Sequence, residues 1–102
     1  MNQILIDRFE LPKEAKEEFL ERVKINRDFI KTIPGFLGDA AYIQEGNDKI
    51  RFVTIATWEG QTSLDNAKTF VFAEYQKQGF VMQDFLKNHS IQIERAIYER
   101  VL

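Results

Sequence analysis

The segment from Lys49 to Glu59 constrains the fold more than any other, because neither of its two sides is strongly polar. Alternate side chains of an extended strand point to opposite sides of a sheet. One side would carry Phe52, Thr54, Ala56 and Trp58, and the other would carry Val53, Ile55 and Thr57. A strand with one side in water alternates apolar and polar residues, whereas a strand buried on both sides does not. The segment therefore predicts a strand in the middle of a sheet.

Turn residues divide the chain before this strand into three further elements. Residues Gln3 to Leu11 predict a first strand, again with apolar side chains on both sides. Pro12 suits the first turn of a helix that extends to about Ile33, because the following Pro-Gly pair disfavours further helix. A second strand from Leu37 to Glu45 then reaches a Gly-Asn-Asp turn, which predicts a hairpin with the central strand.

The chain after the central strand predicts two helices and a last strand. A Gly-Gln-Thr-Ser segment offers capping groups for a second helix, which ends at about Gln78. Gly79 stands where a left-handed helix cap is expected. Residues Phe80 to Asn88 predict a short third helix, and Ile91 to Val101 predict a fourth strand.

The predicted order is β-α-β-β-α-(α)-β within a single domain, residues 1–102. This is the ferredoxin-like pattern of the α+β class, a four-stranded antiparallel sheet with helices on one side. Helices cover only one face of such a sheet, yet the first and third strands are apolar on both. We therefore expect a second copy of the chain to cover the other face, giving a homodimer through the sheet face.

Charge and composition exclude several classes of function. Fourteen basic and sixteen acidic residues give a net charge of −2 without a basic block, which argues against nucleic acid and against a charged membrane surface as partners. The chain has no cysteine and one histidine, so we expect no metal site. It shows neither a secretory signal nor an apolar run of about 20 residues that could span a membrane. We therefore expect a cytoplasmic protein.

Three short features resemble the antibiotic biosynthesis monooxygenase family by their order and spacing. They are Pro34-Gly35-Phe36 after the long first helix, the hairpin that follows, and Thr57-Trp58-Glu59 at the end of the third strand. The resemblance extends over nearly the whole chain. It implies a dimeric α+β barrel, in which two sheets pack face to face and each subunit has a cavity. It does not imply one reaction, because one branch of the family oxidises polycyclic phenols and quinols with O₂ and no cofactor, while another degrades heme.

The heme-degrading branch is not matched at its characteristic positions. That branch uses an asparagine on the first strand, a tryptophan in the second helix and a histidine that ligates iron. This sequence has Asp7, Ala67 and Lys77 at those positions. The resemblance therefore implies that heme is not a ligand, and we expect no cofactor.

The quinone-forming branch is matched at one position. The resemblance implies that Trp58 corresponds to the tryptophan of that branch, whereas Thr54 stands where the branch has an asparagine. Leu64 and Gln78 stand at two later polar positions of the same set. The match supports a cofactor-independent oxygenase only in outline.

Trp58, Phe52 and Thr54 are the candidate substrate-binding residues, because they share one predicted face of the third strand. If that face is turned away from the helices, the indole would line the cavity and stack on a planar substrate. The alternative is that Trp58 only packs at the dimer interface.

Asp7 and His89 are the candidate catalytic bases. Asp7 is a carboxylate in an otherwise apolar strand, where it could accept a proton from a phenol. Its alternative role is an ion pair with an arginine, for which Arg8, Arg51 and Arg95 are candidates. His89 is the only side chain that would titrate near neutral pH unperturbed, and its alternative role is at the surface or at a helix end. Asn26 interrupts the apolar stripe of the first helix and could be a polar group of the cavity; because it lies on the helix face that packs on the sheet, we expect it to make a structural hydrogen bond instead.

Two functions fit these residues. The first is a small cofactor-independent monooxygenase that acts on an aromatic or quinol-like molecule. The second is a dimeric module that binds a small hydrophobic ligand without chemistry. A carboxylate or histidine that points into a closed pocket would favour the enzyme, and a pocket without a titratable group would favour the binding module.

Overall fold

The computed structural model describes the whole chain, Met1–Leu102. Its elements are β1 (Gln3–Pro12), a 3-10 turn (Lys13–Ala15), α1 (Lys16–Ile30), β2 (Phe36–Glu45), β3 (Lys49–Trp58), α2 (Gln61–Gln78), α3 (Met82–Asn88) and β4 (Gln92–Tyr98). The predicted ferredoxin-like order of the α+β class is confirmed.

The four strands form one antiparallel sheet in the order β2-β3-β1-β4. The two strands with apolar side chains on both sides, β1 and β3, are therefore the central ones, as the pattern predicted. In the register of the sheet, Asp7 of β1 lies between Thr54 of β3 and Arg95 of β4. The pairing brings these three residues together in the middle of the sheet.

The helices pack on one face of the sheet and bury its aromatic residues. Phe19 of α1 lies between Phe9 of β1 and Phe52 of β3, with ring centroids 5.0 and 5.2 Å from its own. A second group of buried residues joins Trp58 of β3 to Leu64 and other residues of α2. Phe52 and Trp58 thus lie on the helix side of β3, toward α1 and α2 respectively.

The opposite face of the sheet, called here the open face, is not covered by a helix. Its apolar residues are Ile4, Ile6, Ala40, Tyr42, Val53, Ile55, Ala96 and Tyr98, as the strand registers show. Tyr42 is 60% exposed, and the aliphatic side chains of the two central strands are only partly buried. The open face has the uncovered apolar surface from which a homodimer was predicted.

Several element ends differ from the predicted ones. Pro12 is the last residue of β1, not a residue of α1. The helix α1 ends at Ile30, because the backbone then tightens to bonds between residues three apart, such as Ile33 N to Ile30 O at 3.1 Å. The strand β4 ends at Tyr98, so Val101 is exposed. Gly79 does have the predicted left-handed conformation, with φ 65°.

Candidate functional site

A cavity of about 1030 Å³ lies between the sheet and the three helices. Seventeen of its 27 lining residues are hydrophobic. Its floor is the helix side of the central strands, and its walls come from α1, α2 and the segment around α3. Large ligand sites in proteins are mostly apolar with a few placed polar groups, and this cavity has that composition.

Trp58 and Thr54 line the floor of this cavity, but Phe52 is not among the lining residues. The predicted role requires a face turned away from the helices, whereas the structure places both this face and the cavity on the helix side. The three residues share one face because side chains alternate along a strand. Their surroundings differ because they lie at different positions along β3. Phe52 lies under α1 in the packed core, while Thr54 and the buried Trp58 border the cavity.

Trp58 is held tightly at the floor and is 2% exposed. Its indole meets the Phe36 ring edge to face, with centroids 5.4 Å apart. Its Nε1–H is buried and donates to no acceptor in the protein. A buried donor without a partner is rare and costs free energy, so this group stands out among the polar groups of the cavity.

Asp7 lines the same floor and is paired with Arg95. Arg95 Nε donates to Asp7 Oδ1 at 2.6 Å, and its Nη2 donates to Oδ2 at 2.8 Å. The ion pair that the sequence offered as the alternative role of Asp7 is therefore present, and Arg95 is its partner. The pKa of Arg95 is raised by these hydrogen bonds and by the charge of Asp7, which keeps the guanidinium cationic.

The two members of this pair differ in exposure. The side chain of Asp7 is 11% exposed and that of Arg95 is 54% exposed. The carboxylate is thus enclosed by the sheet and the guanidinium, while the guanidinium also faces open space in the cavity. Arg95 is one of the three partners that the sequence allows for Asp7, and its place between Ile93 and Ile97 on one side of β4 is the signal that could have distinguished it from the other two.

A second ion pair lies at another wall of the cavity. Arg27 Nε of α1 donates to Asp39 Oδ2 of β2 at 2.5 Å. The hydrogen bond from Arg27 lowers the pKa of Asp39, so this carboxyl is ionised at neutral pH. No pattern in the sequence predicts this pair, because its members lie on two elements whose relative placement the sequence pattern does not define.

Tyr75 and Asn26 add neutral polar groups to the lining. Burial raises the pKa of Tyr75, so its hydroxyl stays protonated at neutral pH. Asn26 Oδ1 accepts hydrogen bonds from Nε and Nη2 of Arg22 at 3.1 and 2.9 Å. The structural hydrogen bond expected for Asn26 is confirmed.

His89 lies outside the cavity lining, at the C-terminus of α3. Its Nδ1 is 2.9 Å from the carbonyl oxygen of Phe85, and its Nε2 contacts the carboxylate of Glu18. These contacts raise the pKa of His89. The arrangement matches the helix-end role offered as its alternative, and His89 is not brought together with Asp7 and Trp58.

The structure has no group of three or more histidine, cysteine, aspartate or glutamate side chains placed to hold a metal ion. None of its helices combines the length and the apolar character that crossing a membrane requires.

Comparison with known proteins identifies the fold. No family model and no curated protein matches the chain. Among solved structures, one similar protein is a variant of SnoaB of Streptomyces nogalater, which is described as a cofactor-independent oxygenase. It superposes with a TM-score of 0.72 and 16% sequence identity, over 97% of this chain and 92% of its own. A candidate antibiotic biosynthesis monooxygenase of Nitrosomonas europaea superposes with a TM-score of 0.72 and 16% sequence identity, over 98% of this chain and 90% of its own.

A third structure, described as a dimeric ferredoxin-like protein from an uncultured marine organism, gives a TM-score of 0.74 and 12% identity over 99% of this chain and 96% of its own. At these identities the similarity concerns the fold. This chain therefore has the ferredoxin-like α+β fold of proteins described as antibiotic biosynthesis monooxygenases.

Proposed function

We propose that the chain is a cofactor-independent monooxygenase that oxidises a small aromatic or quinol-like substrate in the cavity on the helix side of the sheet. The proposal rests on the floor of that cavity. There the carboxylate of Asp7, the hydroxyl of Thr54 and the indole of Trp58 line a mostly apolar space. The similarity to SnoaB, described as a cofactor-independent oxygenase, supports the same reaction class.

In the proposed reaction, an anthrone-type substrate supplies its own electrons. Asp7 accepts the hydroxyl proton of the enol form, and the resulting anion transfers one electron to O₂. The substrate radical and superoxide join in a C–O bond, and the peroxide takes the proton back from Asp7. The O–O bond then breaks with loss of the C–H proton, so that a CH₂ group and O₂ become a carbonyl group and water.

The protein's contribution in this scheme is to orient the substrate and exclude water. The indole of Trp58 lies beside the bound ring system and restricts its orientation. The apolar lining keeps bulk water from the charged intermediates, which strengthens the electrostatic effect of the fixed polar groups. Thr54, next to Asp7 across the strands, offers a hydroxyl within the same polar part of the floor.

The test is oxygen uptake by metal-stripped protein with anthrone, with anthraquinone measured as the product. The variant Asp7→Asn should lower turnover by about 10²–10⁴-fold, the usual contribution of a general base. Trp58→Phe should mainly weaken binding, and His89→Gln should leave turnover unchanged, because His89 lies outside the cavity. Uptake that persists unchanged in Asp7→Asn would contradict the role of Asp7.

A second candidate function is a binding module without chemistry. The observation that favours it is the pairing of Asp7, whose two carboxylate oxygens both already accept hydrogen bonds from Arg95. Saturable binding of anthraquinone without oxygen uptake from any anthrone or hydroquinone would support the binding module over the enzyme.

We further propose that two copies pair through the open face, as the dimeric description of the marine ferredoxin-like neighbour suggests. Ile55 lies on the open face, so Ile55→Glu should shift the protein to monomers in sedimentation equilibrium, because a charge would be buried against the partner. Phe52→Glu is not a test of the interface, since Phe52 is 7% exposed within the core of the subunit. A wild-type protein that sediments as a 12.0 kDa monomer would contradict the dimer.

A further inference from the structure

The charged residues that line the cavity are predominantly basic. They are Asp7, Arg27, Asp39, Lys68 and Arg95, which makes three cations against two anions in a chain whose net charge is −2. Each carboxylate is paired with an arginine, whereas Lys68 has no carboxylate within ion-pair distance. The net charge of these five side chains is therefore +1, and Lys68, which carries the unpaired charge, is an exposed residue of α2.

Arg95 has hydrogen-bond donors that the protein does not use. Its Nε and one N–H of Nη2 donate to Asp7, while the N–H groups of Nη1 and the second N–H of Nη2 have no acceptor in the protein. Arg95 is also half exposed within the lining, so these donors are accessible to a ligand. A guanidinium with free N–H groups matches the geometry of a carboxylate or another oxyanion.

Asp7 holds this guanidinium in one orientation. The two residues are directly opposite each other in the β1–β4 register, and both carboxylate oxygens accept from the same guanidinium. Such a two-point contact restricts rotation of the planar group and reduces the ordering that a ligand would otherwise have to impose. Asp7 is in this respect a positioning residue for Arg95.

The rest of the lining favours a flat, largely apolar molecule. Partly exposed aromatic residues such as Tyr75 and Phe80 offer rings, the aliphatic residues offer apolar walls, and a volume of about 1030 Å³ has room for several fused rings. Burial raises the pKa of Tyr75, so its hydroxyl adds no negative charge that would repel an anion.

We propose that the cavity binds a planar aromatic anion and that Arg95 binds the anionic oxygen. The inference rests on the proposed function only in assuming the same ligand cavity, and it holds for a substrate and for a ligand that undergoes no reaction. Arg95 is thereby a specificity-determining residue that selects ionised aromatic molecules over neutral ones of the same shape.

The test uses two matched probes, anthraquinone-2-carboxylate and anthraquinone-2-carboxamide, in isothermal titration calorimetry at neutral pH. The carboxylate should bind about 10- to 100-fold more tightly than the amide, as expected for hydrogen bonds to a charged group. This preference should disappear in Arg95→Gln and persist in Arg100→Gln, which removes the same charge from the C-terminal tail.

Arg95→Gln leaves Asp7 without its partner, so the double variant Asp7→Asn/Arg95→Gln provides a folded control without an unpaired charge. It too should bind both probes equally. Equal affinity of the wild type for the two probes, no binding of either probe, or a preference that persists in both Arg95 variants would overturn the proposal. If the wild type prefers the carboxylate but takes up no oxygen with anthrone, the proposed reaction is wrong and the proposal about Arg95 still holds.

Discussion

The Asp7–Arg95 pair allows a quantitative prediction about stability, because its two members differ in exposure. Replacing Arg95 by glutamine leaves a carboxylate that is 11% exposed, whereas replacing Asp7 by asparagine leaves a guanidinium that is 54% exposed and can be hydrated. Leaving a buried charge without its partner typically costs about 3–5 kcal/mol. Losing hydrogen bonds to a charge that stays hydrated costs about 1.5–3 kcal/mol, and the exposure of Arg95 favours the lower end.

We therefore expect Arg95→Gln to lower the free energy of unfolding more than Asp7→Asn, out of a total of about 5–15 kcal/mol for a domain of this kind.

Urea denaturation at a fixed protein concentration, followed by the fluorescence of Trp58, measures these free energies. Glu45→Gln is a matched control, because it removes a carboxylate from an ion pair with Lys16 whose side chains are 52% and 39% exposed, and because it does not lie on the open face. Its effect should be much smaller. Destabilisation by Asp7→Asn as large as that by Arg95→Gln would contradict this prediction.

Three further predictions concern other parts of the molecule. The first concerns His89, whose pKa is raised above the ordinary 6.5 by the carbonyl oxygen of Phe85 and the carboxylate of Glu18. The stabilising effect of His89 should be complete below pH 6.5 and should be lost as pH rises through the pKa of the folded state. His89→Gln should therefore lower the melting temperature more in acid than in base, and the reverse order would contradict this prediction. Leu64 is 1% exposed, and Leu64→Ala should cost about 2–5 kcal/mol in urea denaturation, whereas Leu37→Ala at a 54% exposed position should stay within about 0.5 kcal/mol. Hemin titration should produce only a weak, featureless absorbance change, and a Soret band that saturates at one heme per subunit would show that heme is a ligand.

The order of the elements follows from local features of the sequence. Apolar residues recur with the period of a helix or of a strand, and glycine and proline mark where each period stops. Gly79 is an example, because a helix that ends in a left-handed residue favours glycine at that position, and its φ is 65°. The two-sided apolar pattern of β1 and β3 likewise predicts that they are central, and the strand order β2-β3-β1-β4 confirms it.

Element ends are less well determined by local sequence. Pro12 is compatible both with the end of a strand at a sheet boundary and with the first turn of a helix, and its pairing with Lys49 in the sheet decides the matter. The strand β4 stops at Tyr98, whose partner in β1 is Ile4, although the sequence places Val101 on the same side as Ile93 and Ile97.

The site itself depends on contacts that only the tertiary structure defines. Strand alternation states that Trp58, Thr54 and Phe52 share a side of β3, but it contains no information on which side the helices cover. The packing of α1 and α2 puts all three on the helix side, with Phe52 in the core and the other two at the cavity. The partner of Asp7 was equally open, because Arg95 lies 88 positions away along the chain and becomes its neighbour only through the β1–β4 register. Such a register is set by the burial of whole faces against distant elements, which is a property of the folded chain and not of any segment of it.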